Sequence, residues 1–178
     1  MALAHTILAT LGDEAYSGYD LWKKFSQNIK CYWQASQQQI YRELGKLEKQ
    51  GAIASQIIPQ EGRPDKKLYQ ITDKGIEILK EWLLEQAEPM AIREELLVKV
   101  IAAKLLPKSV IVEQIQSRRQ IHTQQLSHYQ AIQQDKFSDL SQLSYEQKCS
   151  YLTLRRGIRY ESDWIDWCNE AIALLSEE

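Results

Sequence analysis

The sequence has few of the residues that build reactive or cross-linked sites. Its three cysteines, Cys31, Cys149 and Cys168, are odd in number and far apart, so they form neither a disulfide framework nor a CxxC pair. His122 and His128 are six residues apart, whereas two metal ligands on one helical face need a spacing of three or four. Glycine-rich phosphate loops and nucleophile elbows are also absent. These absences argue against an enzyme, and we expect no cofactor and no metal.

Long apolar runs are missing as well. No run approaches the roughly 18 residues of a membrane-spanning helix, and residues 1–5 lack the basic region and apolar core of a secretion signal. We therefore expect a cytoplasmic protein without membrane contact. The 44% of hydrophobic and 26% of charged residues are typical of a globular chain. The 178 residues suit a small domain followed by an appended helical one.

Apolar residues spaced by four predict two short helices at the start of the chain. The first helix ends near residues 12–13, a turn spans residues 12–18, and the second helix begins near Ser17 with Lys23 on its outer face. The two apolar stripes are formed by Leu3, Ile7 and Leu11, and by Leu21, Phe25 and Ile29. Each stripe is expected to face a common core.

A third helix is predicted over residues 36–50. Ser36 and Gln39 fit the capping-box pattern S-x-x-Q, in which each residue satisfies the other's free backbone amide. Gly51 supplies the left-handed residue that ends a helix. The buried face of this helix consists of Ile40, Leu44 and Leu47.

A hairpin and a fourth helix follow. Residues 53–58 and 67–71 are rich in isoleucine and tyrosine and flank a charged, turn-forming stretch, so they predict two strands. We call residues 53–71 the wing hairpin. Thr72 is the predicted N-cap of a fourth helix, which continues until Pro89 interrupts it. The predicted apolar stripe of that helix is Ile76, Leu79 and Leu83.

The exposed face of helix 36–50 has the composition of a DNA-reading surface. Gln38, Arg42 and Lys49 lie on it, with Tyr41 and Lys46 on its flanks. Glutamine and arginine can make paired hydrogen bonds to adenine and guanine in the major groove, whereas lysine and tyrosine suit phosphate oxygens. The alternative is an ordinary solvated helix face, which has a similar composition.

Positive charge is concentrated in the same region. Residues 21–67 contain nine lysines and arginines against four acids, although the whole chain has a net charge of −2. In the wing hairpin, Arg63, Lys66 and Lys67 could contact phosphates or the minor groove. The alternative is an ordinary exposed turn.

The second half of the chain is predicted to be helical, with segments near 90–105, 107–135 and 144–176 and a polar connector over 139–144. The last segment carries apolar residues at alternating three- and four-residue steps, interrupted at Glu161, which predicts a coiled-coil seam that joins two copies of the chain. The alternative is packing on helix 107–135 of the same chain. The seam residues are Tyr151, Leu154, Ile158, Ile165, Cys168, Ile172 and Leu175.

These patterns, taken with specific residues, resemble the PadR family of bacterial transcriptional regulators. Residues 1–85 carry this resemblance almost throughout, and residues 94–99, 151–157 and 164–167 resemble the virulence-activator type of C-terminal domain. Matching residues include Ser17-Gly18-Tyr19-Asp20-Leu21, Trp33, Gln39-Ile40-Tyr41-Arg42-Glu43-Leu44, Gly62-Arg63-Pro64, Gly75, Trp82-Leu83, Glu94-Glu95-Leu96-Leu97-Val98-Lys99 and Trp164-x-x-Trp167.

The resemblance implies a mainly α protein that binds double-stranded DNA. A winged helix-turn-helix domain over 1–88 would be followed by a long-helix dimerisation domain over 89–178, and the homodimer would bind an inverted-repeat operator, usually as a repressor. Family positions near DNA match Tyr19, Gln39, Tyr41 and the stretch 63–67. With the helix face above, the candidate DNA-binding residues are Tyr19, Lys23, Ser36, Gln37, Gln38, Gln39, Tyr41, Arg42, Lys46, Lys49, Arg63, Lys66 and Lys67.

Two further interpretations stay open. The resemblance allows release by a small aromatic or hydrophobic effector, which Trp33, Trp82, Trp164 and Trp167 could line, although these residues equally suit cores. A winged-helix module that binds proteins or ligands, and not DNA, is the alternative function.

Overall fold

The computed structural model describes residues 2–12, 14–27, 33–60, 62, 65–89 and 91–176. The chain divides into two compact units, Met1–Pro89 and Met90–Glu178. Among the described residues, no helix combines the length and the apolar character that crossing a membrane requires. Ile29, Cys31 and Arg63, which the sequence analysis singled out, lie outside the described residues.

The first unit has four helices and three short strands in the described residues. The helices are α1 (Ala2–Leu11), α2 (Gly18–Gln27), α3 (Gln37–Lys49) and α4 (Asp73–Leu83). The strands β1 (Tyr16–Ser17), β2 (Ile53–Ile58) and β3 (Lys66–Ile71) form an antiparallel sheet in the order β1-β3-β2, with Ile53 opposite Ile71 and Ile58 opposite Lys66. The sequence analysis missed β1, because two residues inside a predicted turn give no alternation pattern.

One apolar core holds the first unit together. The predicted stripes of α1, α2 and α3 all contribute to it, and Ala52, Ile53 and Tyr69 join from the sheet. The buried members of the three stripes are Ile7 and Leu11 of α1, Leu21 and Phe25 of α2, and Ile40, Leu44 and Leu47 of α3; Leu8 of α1 is also buried, although it was not predicted. Since α1 and α2 both pack on α3, the core fixes which face of α3 points outward.

The predicted stripe of α4 was partly wrong. Ile76 and Leu83 are 39% and 67% exposed, and the side of α4 that meets the core carries Ile78 and Leu79 instead. Gly75 lies on the same side of α4 as these two residues, and it is buried so closely that an added Cβ would lie 2.1 Å from the carbonyl oxygen of Ala52. A buried glycine adds nothing to an apolar pattern, so spacing alone did not identify this side of the helix.

The second unit is helical throughout its regular structure. It contains α5 (Glu95–Ala102), α6 (Lys108–Lys136) and α7 (Tyr145–Ser176), with short 3₁₀ turns at Ala103–Leu105 and Leu140–Gln142. Pro107 immediately precedes α6, whereas the sequence analysis had this helix begin at residue 107 itself. The long helices α6 and α7 pack on each other, and α5 packs on α6.

Candidate DNA-binding surface

Residues at both ends of α3 fix where this helix begins and ends. Ser36 Oγ accepts a hydrogen bond from the Gln39 backbone N–H, and the Gln39 side chain accepts one from the Ser36 N–H at 2.8 Å, so the predicted capping box is confirmed. At the other end Gly51 has φ of 73°, in the left-handed region that favours glycine. The side chains of Ser36 and Gln39 are therefore occupied in holding the helix start.

The face of α3 opposite the core is exposed. Gln37, Gln38, Tyr41, Arg42 and Lys49 all lie on the surface of the unit. Within the described part of the chain, neither Arg42 nor Lys49 makes an ion pair. Two unpaired cations beside two free amide side chains can donate to base edges and to phosphate oxygens.

Helix α2 adds residues beside this face. Tyr19 is 55% exposed, and Lys23 is exposed and makes no ion pair with any described residue. The start of α2 approaches α3 closely, since a Cβ on Gly18 would lie 2.5 Å from the Tyr41 ring. Glycine at this position therefore leaves room for the Tyr41 ring beside the start of α2.

Three of the predicted lysines are held by carboxylates. Lys46 pairs with Glu43 on the same helix at 3.0 Å. Lys66 pairs with Asp20 of α2, and Lys67 pairs with Glu48 of α3, each at 2.9 Å. The sequence analysis treated all three lysines as free cations. The pairs of Lys66 and Lys67 join distant residues and cannot be read from spacing, whereas the three-residue spacing of Glu43 and Lys46 was a local signal that was overlooked.

The two carboxylates that reach the hairpin have perturbed acidities. Hydrogen bonds from Lys66 and Ser17 lower the pKa of Asp20 below its ordinary value. Hydrogen bonds from Ser55 and Lys67 likewise lower the pKa of Glu48. Both side chains are thus ionised in neutral solution, and they offset positive charge on the proposed surface.

In the second unit, the predicted seam already has partners within one chain. Leu154, Ile158 and Cys168 are buried there, and Ile172 and Leu175 pack with Leu96, Ile111 and Ile115. Tyr151 contacts the Phe137 ring, and Ile165 is half-buried. The alternative packing of α7 on helix α6 is therefore present, and the role of the seam in joining two copies stays a prediction.

A buried polar pair interrupts the seam. His122 Nδ1 of α6 is hydrogen-bonded to Glu161 of α7, and both side chains are more than nine-tenths buried. The His122 ring stacks on Trp164 with ring centres 5.1 Å apart. Sequence reasoning noticed Glu161 only as a gap in the apolar pattern. The charged residue Glu161 at an apolar position of the seam was the signal in the sequence that could have indicated a buried polar partner.

The four singled-out tryptophans do not share one site. Trp33 packs on the core of the first unit, and Trp82 stacks on His5 with ring centres 4.5 Å apart. Trp164 and Trp167 belong to the second unit, where they line a cavity of about 370 Å³. The remaining lining residues are Leu97, Asp163, Asp166 and Glu170.

Comparison with known proteins gives this arrangement a family. Residues 7–81 match the family described as transcriptional regulator PadR-like, and residues 92–176 match the virulence activator alpha C-terminal family. The whole chain is 34% identical, over 188 residues, to the full length of a Mycobacterium tuberculosis protein named as a probable transcriptional regulator.

Two solved structures resemble the whole chain. Bacillus subtilis PadR in complex with operator DNA superposes with a TM-score of 0.82 at 26% identity, covering 99% of this chain and 100% of that one. The Vibrio cholerae virulence activator AphA superposes with a TM-score of 0.77 at 31% identity, covering 97% of both chains. The Bacillus subtilis protein is named a negative transcriptional regulator, and its structure with p-coumaric acid has also been solved. This chain belongs to the PadR-like family of DNA-binding transcriptional regulators.

Proposed function

We propose that this protein is a homodimeric repressor in the cytoplasm, and that each copy places α3 in one major groove of an inverted-repeat operator. The observation that carries the proposal is the outward face of α3, where Arg42 and Lys49 are exposed and unpaired within the described residues while the opposite face is fixed by the core. Two helices related by a two-fold axis read half-sites about one helical turn apart.

Exposed apolar residues support the homodimer. In the second unit, Val98, Ile101, Leu105 and Leu106 are between 62% and 81% exposed, and they follow one another along α5 and the turn after it. Contiguous apolar surface of this kind marks interaction sites. We assign it to a second copy of the chain, because a dimer supplies the two-fold symmetry that an inverted repeat requires.

A repressor role draws support from the Bacillus subtilis relative, which is named a negative regulator. A strain that carries a reporter gene under the promoter of the gene for this protein tests the repressor role directly. Deleting the regulator should raise reporter expression, and lowered expression would instead indicate an activator.

Release by a small effector is the finer part of the proposal. The cavity beside Trp164 and Trp167 is large enough for one aromatic ring system, and its acidic residues Asp163, Asp166 and Glu170 make no ion pair within the described residues. Because these carboxylates repel anions, we expect a cationic aromatic ligand to quench tryptophan fluorescence at lower concentration than p-coumarate does. Equal or stronger quenching by p-coumarate would contradict this assignment.

A mobility-shift titration tests DNA binding. The chain should shift a duplex from its own upstream region at a lower concentration than a scrambled duplex of equal composition and length. Arg42→Ala should reduce this difference by about 1–3 kcal/mol, whereas Lys80→Ala, which removes an exposed cation paired with Glu77 on α4, should leave it unchanged. If the wild-type protein shifts both duplexes alike, the protein-interaction or ligand-binding alternative is favoured.

A further inference from the structure

The first two residues of β3 are attached to two different helices. Lys66 and Lys67 are consecutive in a strand, so their side chains leave opposite faces of the sheet. On one face Lys66 Nζ lies 2.9 Å from Asp20 Oδ2 of α2, and on the other Lys67 Nζ lies 2.9 Å from Glu48 Oε2 of α3. The start of the strand is thereby held from both sides.

Glu48 also holds the second strand of the hairpin. Its other carboxylate oxygen accepts a hydrogen bond from Ser55 Oγ of β2, while Lys67 of β3 occupies Oε2. Ser55 lies opposite Tyr69 in the sheet, and Lys67 Nζ lies 5.1 Å from the centre of the Tyr69 ring. One side chain near the end of α3 therefore contacts both strands of the wing hairpin.

Asp20 makes the matching contact on α2. Its carboxylate accepts a hydrogen bond from Ser17 Oγ at 2.7 Å in addition to the bond from Lys66. Ser17 belongs to β1, which pairs with β3 through Leu68. Asp20 therefore links the start of α2 to the same end of the sheet that Glu48 links to α3.

These pairs are too exposed to contribute much to the free energy of unfolding. The four side chains are between 34% and 44% exposed, and ion pairs between exposed side chains add little to stability. Their effect is on geometry, because Lys66 and Lys67 lie at the end of β3, outside its pairing with β1, which involves Leu68 and Tyr69. A wing that reaches DNA at a fixed distance from α3 binds better when its position is set before binding.

We propose that Asp20 and Glu48 are positioning residues that fix the wing hairpin relative to α3, and that Lys66 and Lys67 act through these carboxylates and not as phosphate ligands. The inference rests on the proposed function, in which α3 and the wing hairpin contact one operator together. It assigns the two lysines a different role from the one that the sequence suggested.

Glu48→Gln is the decisive variant, and Glu43→Gln is its matched control. Both remove one negative charge from α3, but among the described residues Glu43 pairs with Lys46 of the same helix and with no residue of the hairpin. Glu48→Gln should weaken binding to the operator about two- to fivefold, the most that the loss of an exposed ion pair allows, with little change for a random duplex. Glu43→Gln should strengthen binding to both duplexes alike. If Glu48→Gln also strengthens both alike, the proposal is wrong.

A double-mutant cycle separates positioning from phosphate contact. When Lys67 acts through Glu48, the effects of Lys67→Met and Glu48→Gln on operator affinity should not add. If Lys67 instead binds a phosphate, the two effects on operator affinity should add. Lys67→Met should then weaken binding to the operator and to the random duplex alike, and the slope of log affinity against log salt should fall in magnitude by about 1 for each lysine lost. Additive effects would overturn the proposal.

Hydrogen exchange of the free protein tests, without DNA, whether Glu48 holds the wing hairpin in place. In Glu48→Gln the backbone amides of 53–58 and 66–71 should exchange faster than in the wild type, while those of α1 keep their rates and show that the fold is intact. Glu43→Gln should leave the hairpin rates unchanged. Unchanged hairpin rates in Glu48→Gln would overturn the positioning role even if the wild type binds its operator. If the wild type selects no DNA, the proposed function is wrong, and the exchange rates of the hairpin amides still decide whether Glu48 holds the wing hairpin.

Discussion

Raising the salt concentration should weaken the DNA complex by an amount that reports how many phosphates the protein neutralises. Each neutralised phosphate releases counterions, so log affinity falls with log salt by about 0.9 per contact on double-stranded DNA. The slope therefore counts the cations that act on the backbone, and the structure gives an expectation for that count.

The proposed surface has six cations among the described residues of each copy, and three of them are neutralised within the chain. Lys46, Lys66 and Lys67 pair with Glu43, Asp20 and Glu48, whereas Lys23, Arg42 and Lys49 have no ionic partner in the described part of the chain. Three free cations per copy give a dimer a slope of about −5, and participation of all six would give about −11.

Fluorescence anisotropy with a labelled operator duplex, at six salt concentrations between 50 and 300 mM (a working range chosen around roughly physiological ionic strength), measures this slope. Arg63 lies outside the described residues and is not among these six cations; a phosphate contact by Arg63 would add about 2 to the magnitude of the wild-type dimer's slope, and the Arg63→Ala variant measures that share. A slope near −11 after the Arg63 share is subtracted would contradict this expectation, because the paired lysines would then be phosphate ligands. A flat dependence would refute the proposed DNA contact itself.

Three further predictions follow from named contacts. Arg42→Ala should relax sequence preference by about 1–3 kcal/mol, measured as the ratio of affinities for operator and single-base variants. Gly75→Ala should lower the free energy of unfolding by about 1–3 kcal/mol, because its Cβ would meet the Ala52 carbonyl oxygen at 2.1 Å, and denaturant unfolding checks this. The lowered pKa values of Asp20 and Glu48 mean that their stabilisation is present above the unfolded-state pKa near roughly 4 and is lost as pH falls through the lower folded-state values. Glu48→Gln should therefore lose less stability than the wild type between neutral and acid pH.

Sequence signals that act over a few residues predicted helix α3 well. The capping pair Ser36 and Gln39, the buried residues Ile40, Leu44 and Leu47, and the left-handed Gly51 all act within a few residues of one another, so spacing in the sequence specifies them. The outward face of α3 followed from the same pattern. The wing strands were predicted to within one residue for a similar reason.

Contacts between distant residues were not predictable. The pairs of Lys66 with Asp20 and of Lys67 with Glu48 join residues 46 and 19 positions apart, and the close approach of Gly75 to Ala52 depends on how α4 docks. In the second unit, the apolar period of α7 indicated a helical partner correctly but could not say whether that partner is α6 or a second copy. An apolar period shows that one face of a helix is buried, but it does not identify the segment that packs on that face.

Selection of bound fragments from random duplex DNA, followed by sequencing, shows whether the outward face of α3 reads a specific DNA sequence, twice, on two joined copies. We expect enrichment of a two-fold symmetric site whose half-sites lie about one helical turn apart, and a more relaxed site with Arg42→Ala. A pool that stays random after repeated selection with the wild-type protein would contradict the account.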